Sequence, residues 1–192
     1  MAVAAFLDRD GVINRLVKRD STFDSPMTTG EFSLFPWAAP AIRQLNNLGF
    51  KVVVVSNQPG VAKNTLTLDK FAEITDLMIR QLLQQGARID EVRYCLHHPD
   101  AVLEQYRMKC RCRKPNPGLL VEAASDMNID LSRSYLVGDR DVDILAGRSA
   151  GCTTVSVGND ERAAELSDMV ASDLLEAIQI IERRTQNEDL FR

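Results

Sequence analysis

Five short apolar runs recur along the chain, at residues 2–7, 51–56, 91–95, 134–137 and 153–157. Runs of this length, bounded by polar and turn-forming residues, read as buried strands rather than helices. Between them lie helical patterns at 36–48, 68–85, 117–127, 141–150 and 172–184. The second places Phe71, Ile74, Leu77, Met78 and Leu82 at amphipathic spacing. The first has Pro36 at its start and Gly49 just past its end, the asymmetry expected of a helix. Strand–helix alternation of this kind predicts an α/β fold: a Rossmann-like parallel sheet with helices on both faces, joined by right-handed crossovers. One domain spanning 1–184 is expected, followed by a polar tail, 185–192, that should fray. Two stretches fall outside the alternation, 12–35 and 97–110, and both read as long irregular segments.

The 192 residues carry a formal charge of −4 and a pI near 5.3. That balance gives no footprint for nucleic acid or an anionic membrane. No apolar stretch reaches transmembrane length, and the N-terminus lacks the pattern of a signal peptide. A cytoplasmic location is the default expectation, with a small molecule as the partner and a monomer as the assembly. Three of the four cysteines crowd between positions 95 and 112 beside both histidines. In a reducing compartment that grouping favours metal ligation over disulfides.

Chemistry is concentrated where the predicted strands end. Asp8-Arg9-Asp10-Gly11 follows the first run directly. Carboxylates at the C-terminal end of a parallel strand lie where open α/β sheets bind ligands. Extended geometry through Asp10 would point both acids to one side, where their repulsion requires a cation, a shared proton or both. For phosphate-ester hydrolysis Asp8 suits the nucleophile and Asp10 the proton carrier, while Gly11 permits a tight turn that aims N–H groups at phosphate. The alternative is an acidic turn closed by Asx hydrogen bonds. Ser56-Asn57-Gln58 follows the second run, and the Ser56 hydroxyl and the N–H groups after it could bind phosphoryl oxygens. Arg113-Lys114 precedes the proline-rich turn Pro115-Asn116-Pro117. A lysine fixed there would neutralise a phosphoryl group and screen the carboxylates. Gly138-Asp139-Arg140 ends the fourth run, and Asp139 adds a third carboxylate at the same edge. Oxygen donors of this kind suit Mg²⁺. Asp143, four residues on, is placed for a supporting role. All four segments being bland together is improbable.

In this order the segments resemble the four motifs of the haloacid dehalogenase (HAD) superfamily of phosphohydrolases, from the first strand to about Val157. The resemblance implies Mg²⁺ held by Asp8, the backbone carbonyl of Asp10 and Asp139. It also implies an aspartyl-phosphate on Asp8, with Ser56 and Lys114 on the phosphoryl group. Arg9, Gly11, Asn57, Gln58, Arg113 and Arg140 become candidate substrate contacts.

Cys95-Leu96-His97, twelve residues, then Cys110-Arg111-Cys112 offers three thiolates and an imidazole, a fit to tetrahedral Zn²⁺ that would pin loop 95–112. His98 competes with His97 as the ligand, and Cys152 reads as core. Such a zinc beside the third motif is similar to two groups of the superfamily, the heptose-bisphosphate phosphatases, which share the twelve-residue spacing, and the histidinol-phosphate phosphatases. Either would be a Mg²⁺-dependent phosphomonoesterase. A non-catalytic, zinc-stabilised module binding phosphorylated ligands is the reading from another class. Asn14-Arg15-Leu16-Val17-Lys18-Arg19-Asp20 departs from the Gly-Tyr-type segment of the heptose group; its basic residues could hold a second phosphate or lie in solvent. The spans after the first two motifs are too short for a large cap domain, so an open mouth is expected.

Overall fold

The computed structural model describes residues 1–190, with side chains through Gln186. The chain runs β1 (Ala4–Leu7), a hairpin of β2 (Val17–Arg19) and β3 (Thr22–Asp24), α1 (Ala38–Asn47), β4 (Lys51–Asn57), α2 (Leu68–Gln84), β5 (Glu91–Cys95), α3 (Gly118–Met127), β6 (Tyr135–Gly138), α4 (Asp141–Ala150), β7 (Thr153–Val157), α5 (Glu161–Leu166), β8 (Met169–Ala171) and α6 (Leu174–Leu190). Six strands form one parallel sheet in the order β5-β4-β1-β6-β7-β8. β1 lies where the strand order reverses: Ala5 pairs with Val52 of β4 on one side and Tyr135 of β6 on the other. The crevice beyond the carboxyl end of such a strand is the ligand position of open α/β sheets.

Successive strand residues face opposite layers, and the core divides accordingly. Ala5, Leu7, Val52, Val54 and Val137 pack against α1, α2 and α6. Ala4, Phe6, Val53, Val55 and Leu136 pack against α3, α4 and α5. Strands buried on both faces have no polar side, which is why they appear in the sequence as unbroken apolar runs. Cys152 lies in the second layer, 6 % exposed.

Differences from the sequence reading are local. Segment 12–35 contains the β2–β3 hairpin, whose strands are mostly solvent-facing and carry no buried alternation. α5 and β8 extend the alternation beyond β7; six and three residues are too few for a periodic signal. The expected frayed tail is corrected in part: α6 continues to Leu190, since no glycine or proline follows Arg184 to stop it, while residues 191–192 lie outside the described residues. Among the described residues the hairpin and the loop between β5 and α3 are the only long insertions near the carboxyl edge, and neither forms a separate cap.

Gly147, inside α4, marks the closest approach of helix to sheet. A Cβ there would lie 2.8 Å from Thr154 Cγ2 and 2.9 Å from Leu136 Cβ. Alanine normally stabilises a helix interior by up to about 1 kcal/mol over glycine, but overpacking costs about 1–3 kcal/mol. Gly147→Ala is therefore expected to lower the unfolding free energy by about 1–2 kcal/mol in urea denaturation; a gain in stability would show that α4 can move off the sheet.

Candidate active site

The four motif segments converge at the carboxyl edge of β1, β4 and β6. Asp8 follows the last residue of β1, and its N–H donates to the Val137 carbonyl of β6 (3.0 Å). Asp139 follows β6, and Asp143 lies in the first turn of α4. One oxygen from each of these three carboxylates lies within 4.8 Å of the others. Into this group runs the Lys114 side chain, 2 % exposed. Its Nζ donates to Asp8 Oδ1 (2.8 Å) and the Val55 carbonyl of β4 (2.7 Å) and pairs with Asp143 Oδ1 (2.6 Å).

Three carboxylates and one ammonium leave a shortfall of two positive charges in a low-dielectric pocket, a costly arrangement unless protons or a cation fill it. The carboxyl groups register this. Burial, Asp8 and Asp143 push Asp139 up to about 8, against Lys114 and Arg140. Burial pushes Asp143 up to about 6; Lys114 opposes the shift and Asp8 adds to it. Burial disfavours the Lys114 ammonium, but Asp143 and then Asp8 outweigh it and its pKa is raised. Asp139 Oδ1 is buried without a hydrogen-bond partner. An unsatisfied carboxylate oxygen beside two more carboxylates is a fit for an oxygen-seeking divalent cation.

The expectation that Asp8 and Asp10 share one cation or proton is corrected. The Asp10 carboxylate lies outside the Asp8–Asp139–Asp143 group and has its own partners. Arg9 meets both of its oxygens, with NH2 to Oδ2 at 2.9 Å; Asn14 Nδ2 donates to Oδ1 (2.8 Å); Ser25 and Gln58 donate to Oδ2. Burial alone would raise the Asp10 pKa, but the Arg9 charge and the hydrogen bonds from Asn14, Arg9 and Gln58 outweigh it, so the carboxyl is held below its ordinary range.

Other expected substrate contacts are placed differently. Arg9 is fully buried and faces the interior, not the mouth. Asn57 grips the main chain of Lys114: its Oδ1 accepts from the Lys114 N–H and its Nδ2 donates to the Lys114 carbonyl, both at 3.0 Å. Gln58 is 3 % exposed and bonded to Arg9, Asp10 and Ser56. Arg113 and Arg140 remain outward: Arg113 NH1 donates to the His97 carbonyl (3.1 Å), and the exposed Arg140 heads α4, its N–H donating to Asp143 Oδ2 (3.1 Å). Asn14 and Ser25, the two residues that reach Asp10 from the hairpin segment, were not legible as site residues, because loop closure alone brings them there.

Cys95, His97, Cys110 and Cys112 form a second cluster, with one ligand atom from each within 4.8 Å of the others. Sulfur–sulfur separations are 3.1–3.5 Å and His97 Nδ1 lies 3.3 Å from Cys112 Sγ. Tetrahedral coordination with metal–sulfur bonds near 2.3 Å places ligand atoms about 3.8 Å apart, so slight relaxation suffices for a metal ion. His98 points elsewhere, its Nδ1 accepting from the Asp100 N–H (3.0 Å). Burial and the neighbouring thiols push the Cys95 thiol up, a penalty that a central cation would reverse. The cluster is tied to the active edge by the Gln58 N–H, which donates to the Cys95 carbonyl (2.8 Å).

Comparison with known proteins agrees with this geometry. A family model described as HAD-hydrolase-like matches residues 111–177. The D-glycero-beta-D-manno-heptose-1,7-bisphosphate 7-phosphatase of Rhodopseudomonas palustris is 42% identical over 149 residues, covering 77% of this chain and 79% of the relative. The enzyme of that name from Escherichia coli K12 is 35% identical over 186 residues, 94% of both chains. The crystal structure of a D,D-heptose 1,7-bisphosphate phosphatase from B. bronchiseptica, complexed with magnesium and phosphate, superposes with a TM-score of 0.81 at 29% identity, covering 96% of this chain and 99% of that one. Fold and relatives together define a phosphatase of the HAD superfamily. Within that class the chain belongs to the D-glycero-beta-D-manno-heptose-1,7-bisphosphate 7-phosphatase family.

Gly11 holds the site open. Its φ is +91°, and a Cβ would lie 2.0 Å from Asp139 Oδ2. Gly11→Ala is expected to cost about 1–3 kcal/mol in backbone strain and to displace Asp139, lowering phosphatase turnover by more than about tenfold. Steady-state assay and thermal unfolding of the variant check both effects; wild-type turnover would show that the crowding is relieved without moving Asp139.

Proposed function

We propose that this chain removes the 7-phosphate of D-glycero-beta-D-manno-heptose 1,7-bisphosphate, the reaction for which its relatives are named. The observation that carries the reading is the Asp8 carboxylate at the switch point of the sheet, one oxygen held 2.8 Å from a buried ammonium and the group facing Asp139. Asp8 and Asp139, with the backbone carbonyl of Asp10, would hold Mg²⁺. When bound, that ion supplies positive charge to phosphoryl oxygens and cancels the carboxylate excess.

Asp8 attacks phosphorus in line and becomes the aspartyl-phosphate. Lys114, the Ser56 hydroxyl and the N–H groups after Ser56 bind the equatorial oxygens, where charge stabilisation dominates phosphoryl transfer. Asp10 is ionised at rest, so its proton arrives with the substrate: a phosphate monoester has a second pKa near 6 and part of it enters as the monoanion. Asp10 takes that proton, gives it to the departing alkoxide, then receives one from the water that cleaves the aspartyl-phosphate. The Asp8 carboxylate is regenerated, inorganic phosphate is released, and the proton leaves Asp10 with that product.

A bisphosphate suits the rim. Burial lowers the His98 pKa, and the charges of Arg113 and Lys63 add to the shift. Neither makes an ion pair with a carboxylate among the described residues. These charges, with the backbone fixed by hydrogen bonds from Val102 and Leu103 to the Ala62 carbonyl (2.9 and 3.0 Å), can receive a second phosphate. The Cys95–His97–Cys110–Cys112 cluster would hold a structural Zn²⁺ that fixes Arg113 and Lys114.

Asp8→Asn is expected to release no phosphate above background from the heptose bisphosphate in Mg²⁺, and Asp10→Asn to lose about 10²–10⁴ in turnover. Among the heptose 1,7-bisphosphate, histidinol phosphate and nucleoside monophosphates, the bisphosphate should show the highest kcat/KM; preference for histidinol phosphate would reassign the substrate, and phosphate release by Asp8→Asn would reject the mechanism. The zinc assignment has its own test. Elemental analysis should find a single zinc per chain, and Cys112→Ser should lose it together with thermal stability; a metal-free wild type of full stability would refute the site.

A further inference from the structure

Arg9 is an expensive residue where it stands. Its guanidinium is fully buried between β1 and α2, with NH1 lacking a hydrogen-bond partner. The rings of Phe71 on α2 and Tyr94 on β5 lie 5.8 and 5.6 Å from its central carbon and restrict the plane of the group. The Tyr94 hydroxyl is itself 3.3 Å from Thr75 Oγ1. Arg9 Nε and NH2 both face the Asp10 carboxylate, at 2.9–3.3 Å from its two oxygens. Gln58 completes the arrangement: Oε1 accepts from Arg9 NH2 (3.0 Å), while Nε2 donates to Asp10 Oδ2 and to Ser56 Oγ (3.2 Å). A guanidinium held by aromatic faces and a forked contact has little freedom to turn, and its partner carboxylate inherits that rigidity.

We propose that Arg9 and Gln58 are positioning residues for Asp10, not substrate contacts. Arg9 fixes the direction of the carboxylate. Gln58 registers it to the Ser56 hydroxyl, so the proton carrier and one phosphoryl-oxygen donor keep a set separation. The inference rests on the reading of Asp10 as the carrier of the leaving-group proton. Proton transfer needs heavy atoms within about 2.6–3.2 Å, so an unregistered carboxylate loses catalysis even when it is chemically intact. The plain alternative is that the network only satisfies buried charge. In that case its loss should weaken the fold and slow all substrates evenly.

Leaving-group dependence separates the two. Phenyl phosphate expels a more basic oxygen than 4-nitrophenyl phosphate and relies more on a proton delivered during departure. The value of kcat/KM reports steps up to that departure, before Asp10 acts on water. Gln58→Leu keeps both charges, and Arg9→Lys keeps the cation but not the fork. Both are assayed in Mg²⁺ beside wild type and Asp10→Asn, after thermal unfolding confirms that each is folded. The loosened Ser56 in Gln58→Leu affects both substrates and cancels in their ratio. The 4-nitrophenyl to phenyl ratio of kcat/KM is expected to rise about tenfold or more in Gln58→Leu and Arg9→Lys, toward the ratio of Asp10→Asn. An unchanged ratio in both variants, with a raised ratio in Asp10→Asn, overturns the inference and leaves the proposed function standing. An unchanged ratio in Asp10→Asn as well overturns the role of Asp10 on which both depend.

Discussion

The Lys114 ammonium ties together three elements of the carboxyl edge, and the active edge depends on it. It contacts Asp8 beyond β1, the carbonyl of Val55 in β4 and Asp143 in α4, while Asn57 fastens its main chain from both sides. A charge this deeply buried is tolerable only when paired and fully hydrogen-bonded, so its three acceptors must be present together. The sheet meets that condition by ending β1, β4 and β6 at one edge. Convergence of distant segments is thus an electrostatic requirement of one side chain as much as a result of hydrophobic packing.

Even so, Lys114 leaves the pocket short of positive charge. Asp139, with one buried oxygen unsatisfied and its pKa raised, expresses the deficit most directly. A divalent cation would neutralise the carboxylate excess, and only with it in place would an anionic phosphoryl group be tolerated beside the ammonium and the Ser56 hydroxyl. Asp10 stands apart from that balance because Arg9 answers its charge separately. The two acids of one tripeptide therefore occupy distinct electrostatic environments, the condition under which like groups take different chemical roles.

The sequence made the four central strands β1, β4, β6 and β7 legible because both of their faces are buried, while the edge strand β5, half-buried and carrying Glu91 and Arg93, shows itself only by its place in the alternation. It exposed Asp8, Lys114 and Asp139 because each abuts such a run or a rigid turn. The β2–β3 hairpin was hidden, since Phe23 and its neighbours face solvent and carry no periodic burial. The burial of Arg9 was hidden for a related reason: a charge beside catalytic acids reads as a ligand contact, and only the third dimension brings Phe71 and Tyr94 to enclose it. Asn57 was likewise expected at the substrate, although its amide matches the backbone of a residue fifty-seven positions away. Spacing placed Cys95, His97, Cys110 and Cys112 in one set; the choice between adjacent histidines required the direction of each ring.

Cys112 stands two residues before Lys114, and Cys95 ends a strand of the sheet. Both ends of the intervening loop are consequently fixed by the scaffold, whatever its middle does. Of residues 98–109 only Ala101 is buried, so most side chains of the loop can change without disturbing the position of the ammonium. The rim can thus be rewritten at those positions while the reaction centre keeps its geometry.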